Sequence, residues 1–417
     1  MIGWLVDPLL PVYCRVFLGR TGRYTFYQDM KFYTGSMLNC LDEKVPLIKD
    51  CEARVHVAWK NQADSLVQRQ RQDYLDAAAA FASGNGSCGT AEGDGRMQRK
   101  RRRIEAKLHN RRGSSDSGGG AAAVAEKVDP ATLTDDDLPD DERAQHVEQQ
   151  AKAAAASKTI FNDLLDPAFC EPSQIAARFE EWKFGRGFSY KSAYVGMSLR
   201  KILVPLVQRQ LLEWNPLDPK SSDFLEMEWV EQLSEYGLSD AVEVDEEDPD
   251  LQLVPDLVEL AVLPKLCGIC EHVWDPSSAK QSATLLELIK QLADDFSVTV
   301  AADRDQTKTL FSKVLTRLTR MVDDYASYPA VPSLTEVAEI PAGFVAGALA
   351  QERKVLESVL RWTGFVTDAP LQTLVLGFLS GRMLRTVLEI TATAHPTYFW
   401  GRVLKGTLPA CIRARGA

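Results

Sequence analysis

Histidine is nearly absent from this chain: there are five in 417 residues, none at the spacing of paired metal ligands. Uninterrupted apolar runs are missing as well. The N-terminal stretch Met1–Arg20 is apolar in character but is broken by Asp7, Pro8, Pro11 and Arg15. A secretory signal needs a basic start and a clean apolar segment, and a membrane span needs about twenty clean apolar residues, so neither is expected. Glycine-rich phosphate loops, a nucleophile elbow and a dinucleotide fingerprint are also lacking. General acid–base work needs a carboxylate, histidine or lysine with a partner in reach, and no such constellation is visible. The chain is therefore read as not an enzyme, with no catalytic residue, cofactor, metal or small-molecule substrate.

Cysteine is present but unpatterned. Cys14, Cys40, Cys51, Cys88, Cys170, Cys267, Cys270 and Cys411 do not form the regular framework of a small secreted domain, which points to a reducing compartment. Cys267-Gly-Ile-Cys270 is the one close pair. A zinc site would need a second pair or two histidines, and only His272 is near. A thioredoxin-type motif would need a βαβ setting, which the helical surroundings deny. Small residues packing in a helix is the simpler reading.

What the chain does have is enough apolar material for a core and a strongly segregated charge. The hydrophobic fraction is 45%, which excludes disorder as a complete description. Its length allows two or three domains. Lys+Arg number 48 against 58 Asp+Glu, a net −10. A uniformly acidic body repels nucleic acid, so where the charges sit matters more than their sum.

Residues 24–83 read as a coiled coil or a helical hairpin. Met30, Met37, Leu41, Val45, Ile48, Val55, Trp59, Leu66 and Val67 recur at helical spacing between largely polar positions. Pro46 removes a backbone donor and crowds the preceding turn, so a kink or break is expected near Val45. Residues 84–158 read as a disordered charged linker, with two glycine-rich stretches and little apolar content. Within it lies Arg96–Arg112, including Arg99, Lys100, Arg101, Arg102, Arg103, Arg111 and Arg112, with Glu105 as its lone acid. Such a run serves as a nuclear import signal, as a phosphate-contacting arm for DNA or RNA, or as a solvated run with no dedicated partner. The acidic stretch Asp129–Glu142 is placed to fold back on it.

From Ile160 onward the patterns are helical and strand alternation is scarce, so the fold class is all-α with a multi-helix bundle. Ile175, Phe179 and Trp182 mark a short apolar face. Tyr194, Met197, Leu199, Ile202, Leu203, Leu206, Val207 and Leu211 predict a helix of more than four turns, kinked at Pro205 and ended at Trp214-Asn-Pro216-Leu217. Leu225, Trp229 and Leu233 mark another helix. An acidic loop, Asp240–Asp250, separates it from Leu251–Val273. Further amphipathic stretches cover residues 282–295, 307–322 and 350–394, with a break at 329–341. Trp182, Trp214, Trp229 and Trp274 lie on helices or helix ends among aliphatic residues. Core anchoring explains them better than base stacking, which favours a sheet platform.

Several phrases in fixed order resemble the GC-rich sequence DNA-binding factor-like family, including its Pax-binding adaptor branch. They are Phe179-Glu-Glu-Trp182, Ser189-Tyr-Lys-Ser-Ala-Tyr194, Leu203-Val-Pro-Leu-Val207, Gln210-Leu-Leu-Glu-Trp-Asn-Pro-Leu217, Leu263-Pro-Lys-Leu266 and Trp274-Asp-Pro276. The motif positions are Trp182, Tyr190, Tyr194, Pro205, Trp214, Pro216, Pro264, Lys265, Trp274 and Pro276, read as mainly structural. Upstream, Glu43–Ile48 and Ser65–Gln70 resemble the coiled coil that precedes the domain in the Pax-binding branch. On this reading residues 1–23 are unassigned, 24–83 are the coiled-coil region, 84–158 the linker, 159–328 the C-terminal domain typical of the family and 329–417 a helical extension. A long charged N-terminal region, usual in the family, is replaced here by the apolar stretch.

The resemblance implies a nuclear, non-enzymatic scaffold in pre-mRNA splicing, notably late spliceosomal complexes, and in transcriptional regulation. Its partners would be spliceosomal or chromatin and transcription proteins. The alternative is a DNA-binding regulator that uses Arg96–Arg112 for non-specific, salt-sensitive contact. Sequence-specific reading of GC-rich DNA would need a recognition helix or finger, and none is visible.

Overall fold

A computed structural model describes residues 10–82, 140–163, 166–218, 221–238, 248–297, 304–327 and 342–383, with residues 95, 98, 101 and 301 singly between them. The described residues are helical, and no strand occurs among them beyond an isolated bridge between Thr363 and Val366. The all-α expectation holds.

The first helix, α1, is one continuous element, Leu10–Ala82, of 73 residues. It is neither a hairpin nor broken at Pro46. The carbonyl that loses its donor there belongs to Asp42, and both Asp42 and Pro46 are exposed residues, so the break falls on the outer face of the helix, where a lost bond costs least. The helix also starts earlier than the apolar stripe suggested. Pro11 sits in its first turn, where the missing N–H has no intrahelical acceptor anyway. A second helix, α2 (Asp140–Thr159), falls inside the stretch read as linker. Its alanine-rich run favours helix, and Ala153 and Ser157 are buried.

The chain divides into two compact units. The first comprises residues 1–52, 156–212 and 225–257. Within it, α1 buries Met30, Tyr33, Met37, Leu41, Lys44, Ile48 and Cys51 at steps of three and four. Lys44 is the odd member of that stripe. It is buried because its ammonium bonds the Asp163 carboxylate at 2.6 and 2.7 Å. The Tyr33 hydroxyl donates to Ala168 O at 2.6 Å, and burial pushes its pKa up to about 12.

Four more helices follow in this unit: α3 (Pro172–Gly185), α4 (Gly187–Ser192), α5 (Val195–Gln210) and α6 (Glu228–Ser234). A 3-10 turn, Pro249–Gln252, leads into the short α7 (Leu253–Leu257). Helix α3 packs on α6 and α5, and α5 packs on α7. Ile175, Phe179, Leu199, Leu203, Leu206, Val207, Trp229, Leu233 and Leu257 form the core. Two sequence expectations fail here. Tyr194 does not lie on the apolar face of α5 but precedes it. Leu225 lies outside α6 and is exposed, while Phe224, Trp229, Val230 and Leu233 are buried.

The second unit comprises residues 53–155, 213–224 and 258–417. A π-helical turn, Val258–Val262, opens α8 (Leu263–His272), followed by α9 (Ala279–Asp295), α10 (Asp305–Ala326), α11 (Ala342–Leu360) and α12 (Asp368–Phe378). Helix α8 packs along α10, and α10 also meets α11 and α12. Trp274 and Trp362, both fully buried, meet edge to face with ring centres 5.1 Å apart. Trp214 packs on Phe224, and Phe224 on Phe296. These placements support core anchoring for Trp214, Trp229 and Trp274.

The Trp274-Asp-Pro phrase ends in a locked corner. Asp275 Oδ1 accepts from Ser277 N at 2.9 Å and Ser277 Oγ at 2.8 Å, and Gln70 Nε2 donates to Oδ2 at 3.0 Å. Arg317 Nε donates to Trp274 O at 3.0 Å. The cleft beside it is about 50 Å³, far below the several hundred typical of a metabolite pocket. A second π-helical turn, Leu379–Met383, follows α12. It carries Arg382 inward, where Nη2 donates to the Tyr74 hydroxyl at 2.8 Å and Nε lies 3.4 Å from the Glu352 carboxylate.

Cys267 and Cys270 are buried on α8, and burial pushes the Cys267 thiol up to about 11 and Cys270 higher still. Raised thiols are poor ligands and poor nucleophiles, consistent with packing residues. Gly268 between them lets α8 approach α1, since a Cβ there would lie 2.7 Å from His56 Cε1.

Candidate partner-docking surface

In the first unit, residues Lys183–Leu212 contain Lys183, Arg186, Lys191, Arg200, Lys201 and Arg209 and no Asp or Glu at all. The fold supplies the missing acids from elsewhere for some of them. Lys183 reaches Asp248 at 2.9 Å and Asp250 at 2.8 Å, Arg200 pairs with Asp256, and Arg209 lies 3.5 Å from Glu171.

The Lys183 cluster is the organising centre. The Tyr190 hydroxyl donates to Asp250 Oδ1 at 3.0 Å, so the Tyr236 hydroxyl, 2.7 Å away, donates to Tyr190. Glu180 Oε1 accepts from Gly237 N at 2.8 Å, with Gly237 at φ 78°, a conformation that favours glycine. Burial works to lower the Lys183 pKa, but the hydrogen bonds to Asp250 and Asp248 outweigh it and raise it. Burial also pushes Tyr190 and Tyr236 well above the usual phenol range. All these groups are consumed in holding α3, α4 and the 249–252 turn together. None is left facing a substrate.

Outside that centre lies an aromatic wall. Trp182 is half-buried, and its Nε1 donates to Ser189 Oγ at 2.9 Å. Its ring meets Phe26, Tyr27, Phe179 and Tyr190 at centroid distances of 6.1 to 6.5 Å. The Arg186 guanidinium lies over Phe26 at 3.8 Å. The inner rings thus fix the Gly185-Arg186-Gly187 turn from behind.

On the solvent side the same elements present large apolar side chains. Phe188 is 89% exposed and Tyr194 69%, and Phe184, Met197, Tyr24 and Tyr27 are exposed too. Tyr194 has φ 53°, ψ 38°, and is the one described non-glycine residue at positive φ. It stands between the end of α4 and the start of α5 in a conformation usually given to glycine, and a bulky residue there costs about 1–2 kcal/mol. That cost is not offset by burial of the ring. Left-handed backbone at an exposed aromatic side chain makes Tyr194 a candidate contact residue.

The motif positions are not gathered in one place. Trp182, Tyr190, Tyr194 and Pro205 belong to the first unit, while Trp214, Pro216, Pro264, Lys265, Trp274 and Pro276 belong to the second. Tyr190, Trp214, Pro216, Trp274 and Pro276 are buried, Pro205 is half-buried within α5, and Pro264 is exposed at the start of α8. Lys265 is buried with its ammonium 5.0 Å from the Trp59 ring centre. Of the basic run, Arg101 is exposed; Arg99, Lys100, Arg102, Arg103, Arg111 and Arg112 lie outside the described residues. Among the described residues no helix is long and apolar enough to cross a membrane, and no group of three metal-ligating side chains converges.

Sequence reasoning missed Lys183, Asp248, Asp250 and Tyr236, it did not single out Phe188, and it read Met197 as part of an apolar helix face, where the structure exposes it. The absence of any acid from Lys183 to Leu212 was the available signal.

Comparison with known proteins identifies relatives of the chain. A family model described as GC-rich sequence DNA-binding factor-like protein matches residues 173–387. The chain is similar to PAX3- and PAX7-binding protein 1 of Mus musculus, 32% identical over 372 residues, which cover 87% of this chain and 40% of that protein. It is similar to Intron Large complex component GCFC2 of Mus musculus, 27% identical over 377 residues, 87% of this chain and 47% of that protein. Transcriptional repressor ILP1 of Arabidopsis thaliana is 27% identical over 232 residues, 54% of this chain and 24% of that protein. The chain thus spans less than half the length of these relatives.

Proposed function

The chain belongs to the GC-rich sequence DNA-binding factor-like family, and from that premise we propose that it is a nuclear, non-enzymatic adaptor in pre-mRNA splicing and transcriptional regulation. The relatives are named for binding PAX3 and PAX7, as a component of the Intron Large complex and as a transcriptional repressor, and none of these names is that of a reaction. The observation that carries the reading is the exposed aromatic surface around Phe188 and Tyr194, built at the expense of backbone strain. Exposed aromatic and methionine side chains beside an arginine have the composition of protein-interface centres.

The reading is tested by purifying the tagged chain from nuclear extract, with and without nuclease, and identifying its companions by mass spectrometry. Splicing proteins that persist through nuclease support the adaptor. Recovery only of chromatin or RNA-binding proteins that vanish with nuclease would replace it with contact through Arg96–Arg112.

A further inference from the structure

Helix α4, six residues long, stands between two joints. On one side Gly185-Arg186-Gly187 links it to α3. A Cβ at Gly185 or Gly187 would meet open space, and neither residue has a positive φ, so neither packing nor backbone geometry calls for glycine there. What the pair supplies is freedom of rotation. On the other side the left-handed Tyr194 parts α4 from α5.

At this second joint two helix ends meet without a cap. The Tyr194 side chain makes no bond to the first N–H groups of α5. The carbonyls of Lys191, Ser192 and Ala193 lie just ahead of it in the chain. Were Tyr194 to turn right-handed, those carbonyls would accept from the N–H groups of Val195, Gly196 and Met197, and the two helices would become one, from Gly187 to Gln210.

Tyr190 and its partners keep the bent arrangement. Its ring is buried, and its hydroxyl bonds Asp250 at 3.0 Å and Tyr236 at 2.7 Å. Asp250 in turn lies against Gly196. In one continuous helix, residues 190 and 196 would stand about 9 Å apart along the axis and about 120° apart around it. The Tyr190 side chain would also lean farther away, toward the helix N-terminus. Asp250 cannot stay against Gly196 and hold Tyr190 in that arrangement, so the two arrangements exclude each other.

We propose that α4 is a latch with two positions. The Tyr190, Asp250 and Tyr236 hydrogen bonds hold it bent from the axis of α5; when they open, α4 swings on the glycine pair and continues α5 as a single helix. The bond from Trp182 Nε1 to Ser189 Oγ, 2.9 Å long, is a second point of release. Phe188, exposed on α4, travels with it, so its place beside the end of α3 belongs to the bent position alone. The latch does not depend on the adaptor reading. That reading gives it a use, because a partner held by Phe188 would select one position over the other.

The test places p-acetylphenylalanine at the exposed positions 188 and 201 of the full chain and couples nitroxide spin labels to the ketones, which leaves the cysteines untouched. Pulsed electron paramagnetic resonance then reads the distance between the labels. A continuous helix separates the two backbone positions by about 20 Å, and a bend between them shortens that. The parent chain is expected to give the shorter distance. Tyr190→Phe, which keeps the ring and removes the hydroxyl, adds a longer population. Adding Tyr194→Gly, which favours the left-handed joint, then lowers the ratio of long to short about tenfold. Each variant must first show a cooperative melt; if Tyr190→Phe does not, Tyr236→Phe, which removes the outer hydroxyl, is read in its place. A single short distance in the folded variant overturns the latch, as does a long population that Tyr194→Gly leaves unchanged. Neither distance depends on what co-purifies from nuclear extract, so the latch and the adaptor reading fail separately.

Discussion

Gly196 lies directly against the carboxylate of Asp250, so closely that a methyl group at position 196 would overlap Asp250 Oδ1. The absence of one side chain in the first turn of α5 is what allows Asp250 to be nearly fully buried beside Lys183 and Tyr190.

Gly196→Ala therefore lowers stability, even though alanine favours helix more than glycine does. Displacing Asp250 breaks its pairing with Lys183 and its bond from Tyr190, and an overpacking cost of about 1–3 kcal/mol is expected. A denaturant titration reads it as a lower midpoint at unchanged slope. A midpoint equal to that of the parent chain would show that Asp250 is not locked in place.

Trp214→Ala and Trp274→Ala each remove a large buried ring, at a cost of about 3–5 kcal/mol. Thermal melts should show the loss in both. Unchanged stability of the Trp214 variant would mean its ring is exposed in solution and would reopen a binding role for it.

Tyr194→Gly acts in the opposite direction. Release of left-handed strain, about 1–2 kcal/mol, exceeds the extra backbone entropy that glycine loses, about 0.5–1 kcal/mol. The variant should be the more stable protein while losing the displayed ring. Reduced stability would show that the tyrosine side chain contributes to folding despite its exposure.

His56 carries the pH dependence. Its Nε2 is buried without a partner. Burial, with the Lys265 and His272 charges adding, pulls its pKa down to about 4 from the ordinary 6.5. Between those values the unfolded chain binds a proton that the folded chain refuses, so stability falls as pH drops from about 6.5 toward 4. His56→Gln should flatten that slope above pH 5, where carboxylates contribute little. Identical slopes in the two proteins would place the titration elsewhere.

Replacing Arg99, Lys100, Arg101, Arg102 and Arg103 by alanine should abolish nuclear accumulation of the tagged chain and leave its melting temperature unchanged. Continued nuclear residence would assign import to another segment or to a partner.

What was legible in the sequence depended on whether a pattern was local. Met30, Met37, Leu41 and Ile48 announced their helix because burial along one face repeats at the helical period. Lys44 did not, since its neutralising partner, Asp163, arrives 119 residues later. Tyr194 was misread because its spacing continues the α5 pattern backward past the start of the helix, which periodicity does not register; Met197 lies on α5 as expected but is exposed there. Asp248 and Asp250 looked like part of a solvated acidic loop because nothing in composition tells a buried carboxylate from an exposed one. Pro46 predicted a break on good grounds, yet it sits on the exposed face of a helix that runs through it.

The turn at Leu379–Met383 sets the phase of its helix. A π-helical turn amounts to one residue inserted into an α-helix, and each inserted residue rotates everything after it by about 100°. Arg382 stands within this turn, with Tyr74 and Glu352 as its partners. Deleting one residue of the turn ahead of Arg382 would keep the helix and its remaining side chains, yet would swing that guanidinium to a different face. In this segment spacing is information: a one-residue deletion would do more harm than many substitutions, because it would leave Glu352 as a buried charge without its cation.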